Sequence, residues 1–393
     1  MSSVSIDFLK IQKNINFYDS FASKNIFLYI GKPDQWAVNE LDSEFIIPTP
    51  LLGDQYYKDE LKDIISLKKV STSDVCLGLK RYDWSYNTLY DAYNSYDGTQ
   101  LKKHFYPGTH PFYIMTDEYN VYKCIDNNNG AFSTVKPSGQ FLTNITLSDG
   151  YIWKFMYNIP EELRVKFLST QYIPVVLNSE IQSNQAQYLV KAAAIKGTID
   201  RIEVINGGTG YNSTLGQTEI IITGDGTGAE CTPVVTNGVI TSVLITNAGT
   251  NYTYCNLEIV DNANSANSLA TLRAHISPIN GHGFNCVSEL GSFYTIISVD
   301  IIGSENGYFP LFSSYRKSGL ISNFLDLADN EINSNLRYYG VKNSAWLDVS
   351  QKTSFPSRYL KEQTGELLYI NYHQPITRSA TQLERIKLVV ETI

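Results

Sequence analysis

The residues whose spacing most resembles a chemical motif are Gly224-Asp225-Gly226-Thr227-Gly228-Ala229, behind the apolar run Glu219-Ile220-Ile221-Ile222-Thr223. A strand followed by G-x-G-x-x-A is how dinucleotide-binding folds bring a glycine turn against a pyrophosphate. That use requires a helix next, because its first N–H groups hold the phosphate oxygens. Here the chain continues as Glu230-Cys231-Thr232-Pro233-Val234-Val235 and then Thr236-Asn237-Gly238, a proline-bearing strand and a turn. No lysine follows Gly228, so the segment is not a G-x-x-x-x-G-K phosphate loop either. The glycines are expected to form a hairpin corner, and no cofactor is expected.

Asp126-Asn127-Asn128-Asn129-Gly130 begins like a calcium loop. Its glycine comes one position early, and Pro137 stands where the bidentate glutamate belongs, so a tight turn after Tyr122-Lys123-Cys124-Ile125 is expected. The five histidines (104, 110, 275, 282 and 373) show neither H-x-x-x-H spacing nor a neighbouring cysteine pair. They are read as surface or turn residues, with His104 and His110 able to meet across Pro107-Gly108, and no metal is expected. The five cysteines lack C-x-x-C and read as free thiols. There is no G-x-S-x-G elbow, and spacing alone selects no glycosidase pair from 39 acidic residues. No catalytic residue is assigned, and the chain is not read as an enzyme.

These segments sit in a 393-residue chain of net charge −8, with 43% apolar and 18% charged residues. Without a basic stripe it is not expected to bind nucleic acid or anionic membrane surfaces. No apolar run of about 18 residues predicts a membrane span, and the start lacks the pattern of a signal peptide, so a cytosolic setting is expected. Tyrosine is abundant, at 28, and its large ring with one polar tip suits interfaces as well as cores.

Strand signals dominate at 25–30, 112–115, 151–157 and 294–299, and in Ile386-Lys387-Leu388-Val389-Val390, where Ile386, Leu388 and Val390 share one face. Helices are expected over 57–68, from Pro160-Glu161-Glu162-Leu163 onward with Leu163, Phe167 and Leu168 facing the core, and over 319–329. From about 195 the chain turns rich in Gly, Thr and Asn and repeats itself. Ile199, Ile202, Val204, Asn206, Gly208, Thr209 and Tyr211 match Ile240, Val243, Ile245, Asn247, Gly249, Thr250 and Tyr252 at an offset of 41. Each copy reads as strand, tyrosine-bearing turn, strand, small-residue turn, strand. The second strands are 219–222 and 257–260, and Asp261-Asn262-Ala263-Asn264-Ser265-Ala266 replaces the glycine motif in the second copy. The two copies are expected to pack on each other. The expected organisation is 1–190 as the first part of a β-rich core, 191–278 as an all-β tandem-repeat insert, and 279–393 as the second part of the core.

Several segments, in order, resemble one family. They are Asn16-Phe17-Tyr18-Asp19-Ser20, Ile26-Phe27-Leu28-Tyr29-Ile30-Gly31-Lys32-Pro33 with Trp36, Pro48-Thr49-Pro50, Lys80-Arg81-Tyr82-Asp83-Trp84 and Tyr122-Lys123-Cys124-Ile125-Asp126. Then come Asp149-Gly150-Tyr151-Ile152-Trp153-Lys154 with Ile159-Pro160, Gln171-Tyr172-Ile173, Tyr308-Phe309-Pro310, Tyr315-Arg316 and Thr364-Gly365-Glu366-Leu367-Leu368-Tyr369-Ile370 with Gln374-Pro375-Ile376. The chain is similar to the baseplate wedge proteins encoded by gene eight of T-even-type contractile-tailed bacteriophages. The resemblance spans 1–190 and 280–393 and leaves out the repeat. It implies a mainly β protein, a layered β-sandwich core with a few short helices, beside which the repeat adds a small all-β insert. It further implies a homodimer that docks other baseplate wedge proteins in the virion tail, assembled in the host cytoplasm. It supplies no ligand residue.

The tyrosine-rich segment Tyr82, Trp84, Tyr86, Tyr90, Tyr93 and Tyr96 is the candidate interface, with ordinary sheet packing as the alternative. In the insert, Tyr211, Tyr252 and Tyr254 are candidate surface residues, either stacking platforms for a host-surface glycan in an adhesion module or plugs of their own turns.

Overall fold

A computed structural model describes residues 6–32, 35–36, 64–98, 100–101, 109–214, 216–263, 265–301, 314–323, 338–340, 366–377 and 384–391. Strands are numbered along the chain. The fold is mainly β, of β-sandwich type, with several antiparallel sheets and few helices. The chain divides into two units: residues 1–11 with 78–292, and residues 12–77 with 293–393.

The second unit contains a five-stranded antiparallel sheet in the order β17-β2-β1-β16-β18. These strands are Tyr338–Gly340, Ile64–Lys69, Ile26–Gly31, Ser314–Ser322 and Glu366–Thr377. The central strand β1 (IFLYIG) is apolar along nearly its whole length because both of its faces are covered. Ile26, Leu28 and Ile30 enter one core cluster, whereas Phe27 and Tyr29 enter another. The first cluster packs the sheet against β15 (Tyr294–Ile301) and β19 (Glu384–Glu391), a ladder running from Tyr294↔Glu391 to Ile301↔Glu384. The expected inward face of Ile386, Leu388 and Val390 is buried there. Each such side chain contributes about 1.5–3 kcal/mol by leaving water.

Two expected helices are corrected. Residues 64–68, the end of the helix expected over 57–68, belong to β2; residues 57–63 lie outside the described residues. Ile64 and Leu67 are buried there because the strand finds backbone partners on both sides, β1 and β17. A short apolar run satisfies either period, and sheet pairing decides. Likewise Gly319–Ser322 ends β16 between β1 and β18, while residues 324–337 lie outside the described residues. At Gly319 a Cβ would fall 2.2 Å from the Tyr369 carbonyl oxygen and 2.5 Å from the Tyr29 ring, so only glycine lets the strands approach.

Three helices were not foreseen: two short ones over Ala186–Ala192 and Cys286–Leu290, and the longer α1, Ile6–Ser23. Its buried Asn14 is held by Tyr294 and Thr295: Nδ2 donates to the Tyr294 carbonyl at 3.0 Å, and Oδ1 accepts from Thr295 Oγ1 at 2.7 Å.

In the first unit, β4 (Tyr113–Met115), β5 (Asn120–Asp126), β7 (Ile152–Asn158) and β6 (Asn144–Thr146) form an antiparallel sheet in that order. Further elements are β3 (Val75–Lys80), which reaches into this unit, β8 (Tyr172–Val175), α2 (Glu161–Phe167), α3 (Ala186–Ala192) and α4 (Cys286–Leu290). As expected, Pro160 precedes α2, two glutamates fill its first turn and Phe167 is buried; Leu163 and Leu168 are half-buried. The turn at 128–130 has positive φ at Asn128, Asn129 and Gly130.

The repeat supplies three strands per copy: β9 (Ile199–Asn206), β10 (Thr218–Gly224) and β11 (Thr227–Thr236), then β12 (Val239–Thr250), β13 (Cys255–Asp261) and β14 (Thr271–Ile276). Every ladder joins one copy to the other: β9 with β14, β10 with β13, β11 with β12. The registers Ile199↔Ile276, Ile202↔Ala274, Val204↔Leu272 and Asn206↔Thr271 become Ile240↔Val235, Val243↔Pro233, Ile245↔Cys231 and Asn247↔Glu230, each shifted by 41 positions. The bulges also fall at matching places, between Thr271/Leu272 and Glu230/Cys231 and between His275/Ile276 and Val234/Val235. A pseudo-twofold axis therefore relates the copies, and it passes through the β10–β13 ladder. Tyr211 N donates to the Gly238 carbonyl, and Tyr252 N donates to that of Gly197.

This pairing corrects the expected hairpin. Gly224 ends β10 and Thr227 begins β11, and these strands lie in different ladders, so the glycine motif turns the chain from one sheet to another. A strand follows it, not a helix. A Cβ on Gly226 would stand 2.3 Å from the Tyr252 ring, and Gly228 has φ +79°.

Candidate interface segment and a buried charge cluster

Residues 82–84 run beside β4: Tyr82 O accepts from Met115 N at 2.7 Å, and Trp84 N donates to Met115 O at 2.9 Å. This fixes the start of the tyrosine-rich segment on the sheet. Trp84 Nε1 donates to Ser133 Oγ, and the Tyr82 ring meets Tyr113 edge-on. Tyr90 is 1% exposed; its hydroxyl accepts from Ser85 N at 2.7 Å, and its ring packs against Tyr151 and Trp153. Tyr93 is half-buried. Tyr86 and Tyr96 are 70% and 60% exposed. Of the six sequence candidates, these two present most of their ring to solvent.

Asp149-Gly150-Tyr151-Ile152-Trp153 forms a corner lock. Asp149 Oδ2 accepts from Thr134 N at 2.8 Å and Val135 N at 2.9 Å, and the Tyr151 hydroxyl donates to the Ala131 carbonyl. Gly150 takes φ +83°.

In the repeat, Tyr211 and Tyr252 are buried, each at 4% exposure. The Tyr211 hydroxyl accepts from Ala270 N at 2.8 Å, and the Tyr252 hydroxyl accepts from the symmetry-equivalent Ala229 N at 3.4 Å. Tyr254 is 58% exposed. Asp225 of the glycine motif pins the turn that carries Tyr254, accepting from Thr253 N at 2.9 Å, Thr253 Oγ1 at 2.5 Å and Tyr254 N at 3.2 Å. These bonds pull its carboxyl down to about 2.

Two of the five histidines differ from expectation. His275 and His282 are buried, and His104 lies outside the described residues. His282 belongs to a cluster that sequence reasoning missed. Lys123 on β5 and Lys154 on β7 face each other directly in the ladder, and both are buried. Like charges at such a pair repel, so counter-charges must be close. Lys123 Nζ lies 3.0 Å from Glu289 Oε2, 3.0 Å from His282 Nδ1 and 4.1 Å from the centre of the Tyr93 ring. His282 Nε2 faces Asp200 Oδ2 at 3.5 Å. Accepting from the ammonium at Nδ1, His282 is neutral, with its ring proton on Nε2 toward Asp200. Burial first, then the two lysines, hold its pKa well below the usual histidine value. Burial also lowers Lys123 and Lys154 and raises Asp200.

Asp200 opens β9 and accepts from Asn144 Nδ2 and Thr198 Oγ1. Glu289 caps its own loop through Gly283 N and Asn285 N. The cluster thereby ties the first repeat strand to the β5–β7 ladder and to α4. The available signal was a lysine inside each of two apolar strands, Tyr122-Lys123-Cys124 and Trp153-Lys154-Phe155. Among the described residues, no group of three or more His, Cys, Asp or Glu residues is placed to hold a metal ion, and no helix is long and apolar enough to cross a membrane.

No family model matches the chain. It is 22% identical over 212 residues to the baseplate wedge protein gp8 of Enterobacteria phage T4, a match covering 46% of this chain and 62% of that relative. The chain thus spans less than two thirds of that relative's length. The match supports a baseplate-wedge-like relationship at the level of the family.

Proposed function

We propose that the chain is a structural, non-catalytic component of a contractile-tail baseplate wedge, that it forms a homodimer, and that it docks other wedge proteins during assembly in the host cytoplasm. The observation that carries this reading is the match to the T4 wedge protein. The mainly β architecture and the solvent-facing ring of Tyr86 agree with it, since aromatic rings are enriched where protein surfaces meet.

Sedimentation velocity of the full chain at micromolar concentration, together with mass spectrometry of purified virions, tests it. The expected result is a particle of twice the chain mass in solution and the chain in the tail fraction. A clean monomer refutes the homodimer, and absence from virions refutes the wedge role.

A further inference from the structure

The loop over residues 91–96 borders two concavities of the first unit. Asp91, Ala92 and Asn94 line one, and Tyr93, Ser95 and Tyr96 line the other. The second has a volume of about 410 Å³ and is also lined by Lys196, Tyr254 and Ile279. Two of its aromatic rings, Tyr96 and Tyr254, are exposed. Tyr96 meets His275 edge-on at 5.7 Å and lies 5.3 Å from the Arg273 guanidinium. Tyr254 rides on the turn that Asp225 pins. Ile279, 85% exposed, adds apolar surface. Ser95, Thr253 and Ser277 contribute hydroxyl groups, and Lys196 is the one charged side chain among the described lining residues.

The pseudo-twofold axis sharpens this. It maps Tyr252, Thr253 and Tyr254 onto Tyr211, Asn212 and Ser213. The buried plug tyrosine occurs at both ends of the repeat, because both turns need it. The exposed tyrosine occurs at one end, the end that shares a groove with Tyr96. The internal frame therefore does not account for Tyr254, since Ser213 serves in the equivalent place.

We propose that this groove binds an oligosaccharide, with sugar rings stacked on Tyr96 and Tyr254 and sugar hydroxyls hydrogen-bonded by the lining hydroxyls and the Lys196 ammonium. A pyranose has an apolar C–H face and a polar rim. Its binding site accordingly combines exposed aromatic faces with a few oriented polar groups at low net charge. A nucleic acid strand would need a cationic lining, which one lysine does not supply.

The test uses the full chain on an array of bacterial surface and common oligosaccharides, followed by saturation-transfer NMR with any sugar retained. At least one saccharide is expected to bind. Tyr254→Ala and Tyr96→Ala are each expected to weaken it about tenfold or more, since losing one buried aromatic contact is worth at least that factor. Tyr254→Phe keeps the stacking face and should bind nearly as well, and Leu269→Ala, exposed on the insert but outside the groove, should bind as the parent does. Circular dichroism of each variant establishes that it is folded. An array with no saccharide retained overturns the proposal, as do unchanged affinities in both alanine variants. Density for another baseplate protein filling the groove in the assembled particle would overturn it as well.

Discussion

The Lys123–Glu289 pair invites a double-mutant cycle. The two side chains are 0% and 5% exposed and 3.0 Å apart. At an effective dielectric near 20, Coulomb's law gives a gross attraction of about 5–6 kcal/mol at that distance. Desolvation of both groups cancels much of it, so the net worth of the pair is small, but an orphaned partner is costly, typically about 3–5 kcal/mol. Lys123→Met leaves Glu289 with its two backbone N–H donors, which places the cost near the lower end, about 3 kcal/mol. Glu289→Gln keeps the backbone bonds and leaves a buried ammonium facing a neutral amide, at a similar cost. The double variant has no unpaired charge at this position, so its cost should approach that of one single variant. Urea unfolding followed through fluorescence of the buried Trp153 measures all four proteins. A coupling energy of about 2–3 kcal/mol is expected. Strict additivity, within about 0.5 kcal/mol, would show that the two groups act independently and would refute the account of the cluster.

Two further outcomes are measurable by denaturation. His282 is held well below its usual pKa of 6.5 among Lys123, Lys154, Asp200 and Glu289, and His275 is held down to about 4 by burial and Arg201, against the pull of Glu203. Both are neutral when folded and take up protons more readily when unfolded, so their contribution is complete above pH 6.5 and is lost as pH falls toward 4. Each should tilt stability by up to about 1.4 kcal/mol per pH unit in that window. Asp200, raised by burial, tilts the opposite way at lower pH. His282→Asn should flatten the upper part of the profile, and denaturant midpoints at stepped pH check this; an unchanged slope sinks the assignment. At the glycine corner, Gly226→Ala drives a Cβ into the Tyr252 ring and should cost about 1–3 kcal/mol, whereas Gly228→Ala meets no atom within 4 Å and should cost about 1 kcal/mol from its positive φ alone. Equal costs in the same denaturation assay would contradict the packing of Tyr252 under that corner.

Some of this molecule was legible because local chemistry and tertiary demand coincide. The apolar run of β1 and the alternation of Ile386, Leu388 and Val390 each have one satisfactory burial, and it is the one found. The repeat was legible for a similar reason. Seven matched positions encode the same strand and the same tyrosine turn twice, and equal local instructions fold equally. Even the absence of a helix after Gly228 could be read from Pro233 and Asn237-Gly238.

What the sequence left open was decided by partners far along the chain. Ile64 and Leu67 fit a helix or a strand equally well until β1 and β17 offer backbone hydrogen bonds. The glycine motif was recognisable as a corner, but whether it closes a hairpin or joins two sheets depends on β10 and β11 pairing with β13 and β12. A lysine in an apolar strand signals a buried charge without naming its counter-ion. Glu289 and Asp200 reach Lys123 and Lys154 only through the packing of α4 and β9. Tyr96 and Tyr254 likewise read as separate surface tyrosines, and folding alone brings them to one groove. Sequence determined the pieces whose burial is settled by their own periodicity. Tertiary structure decided every feature that needs a second segment, because a hydrogen-bond partner, a counter-charge or the far wall of a groove is not encoded within the segment that requires it.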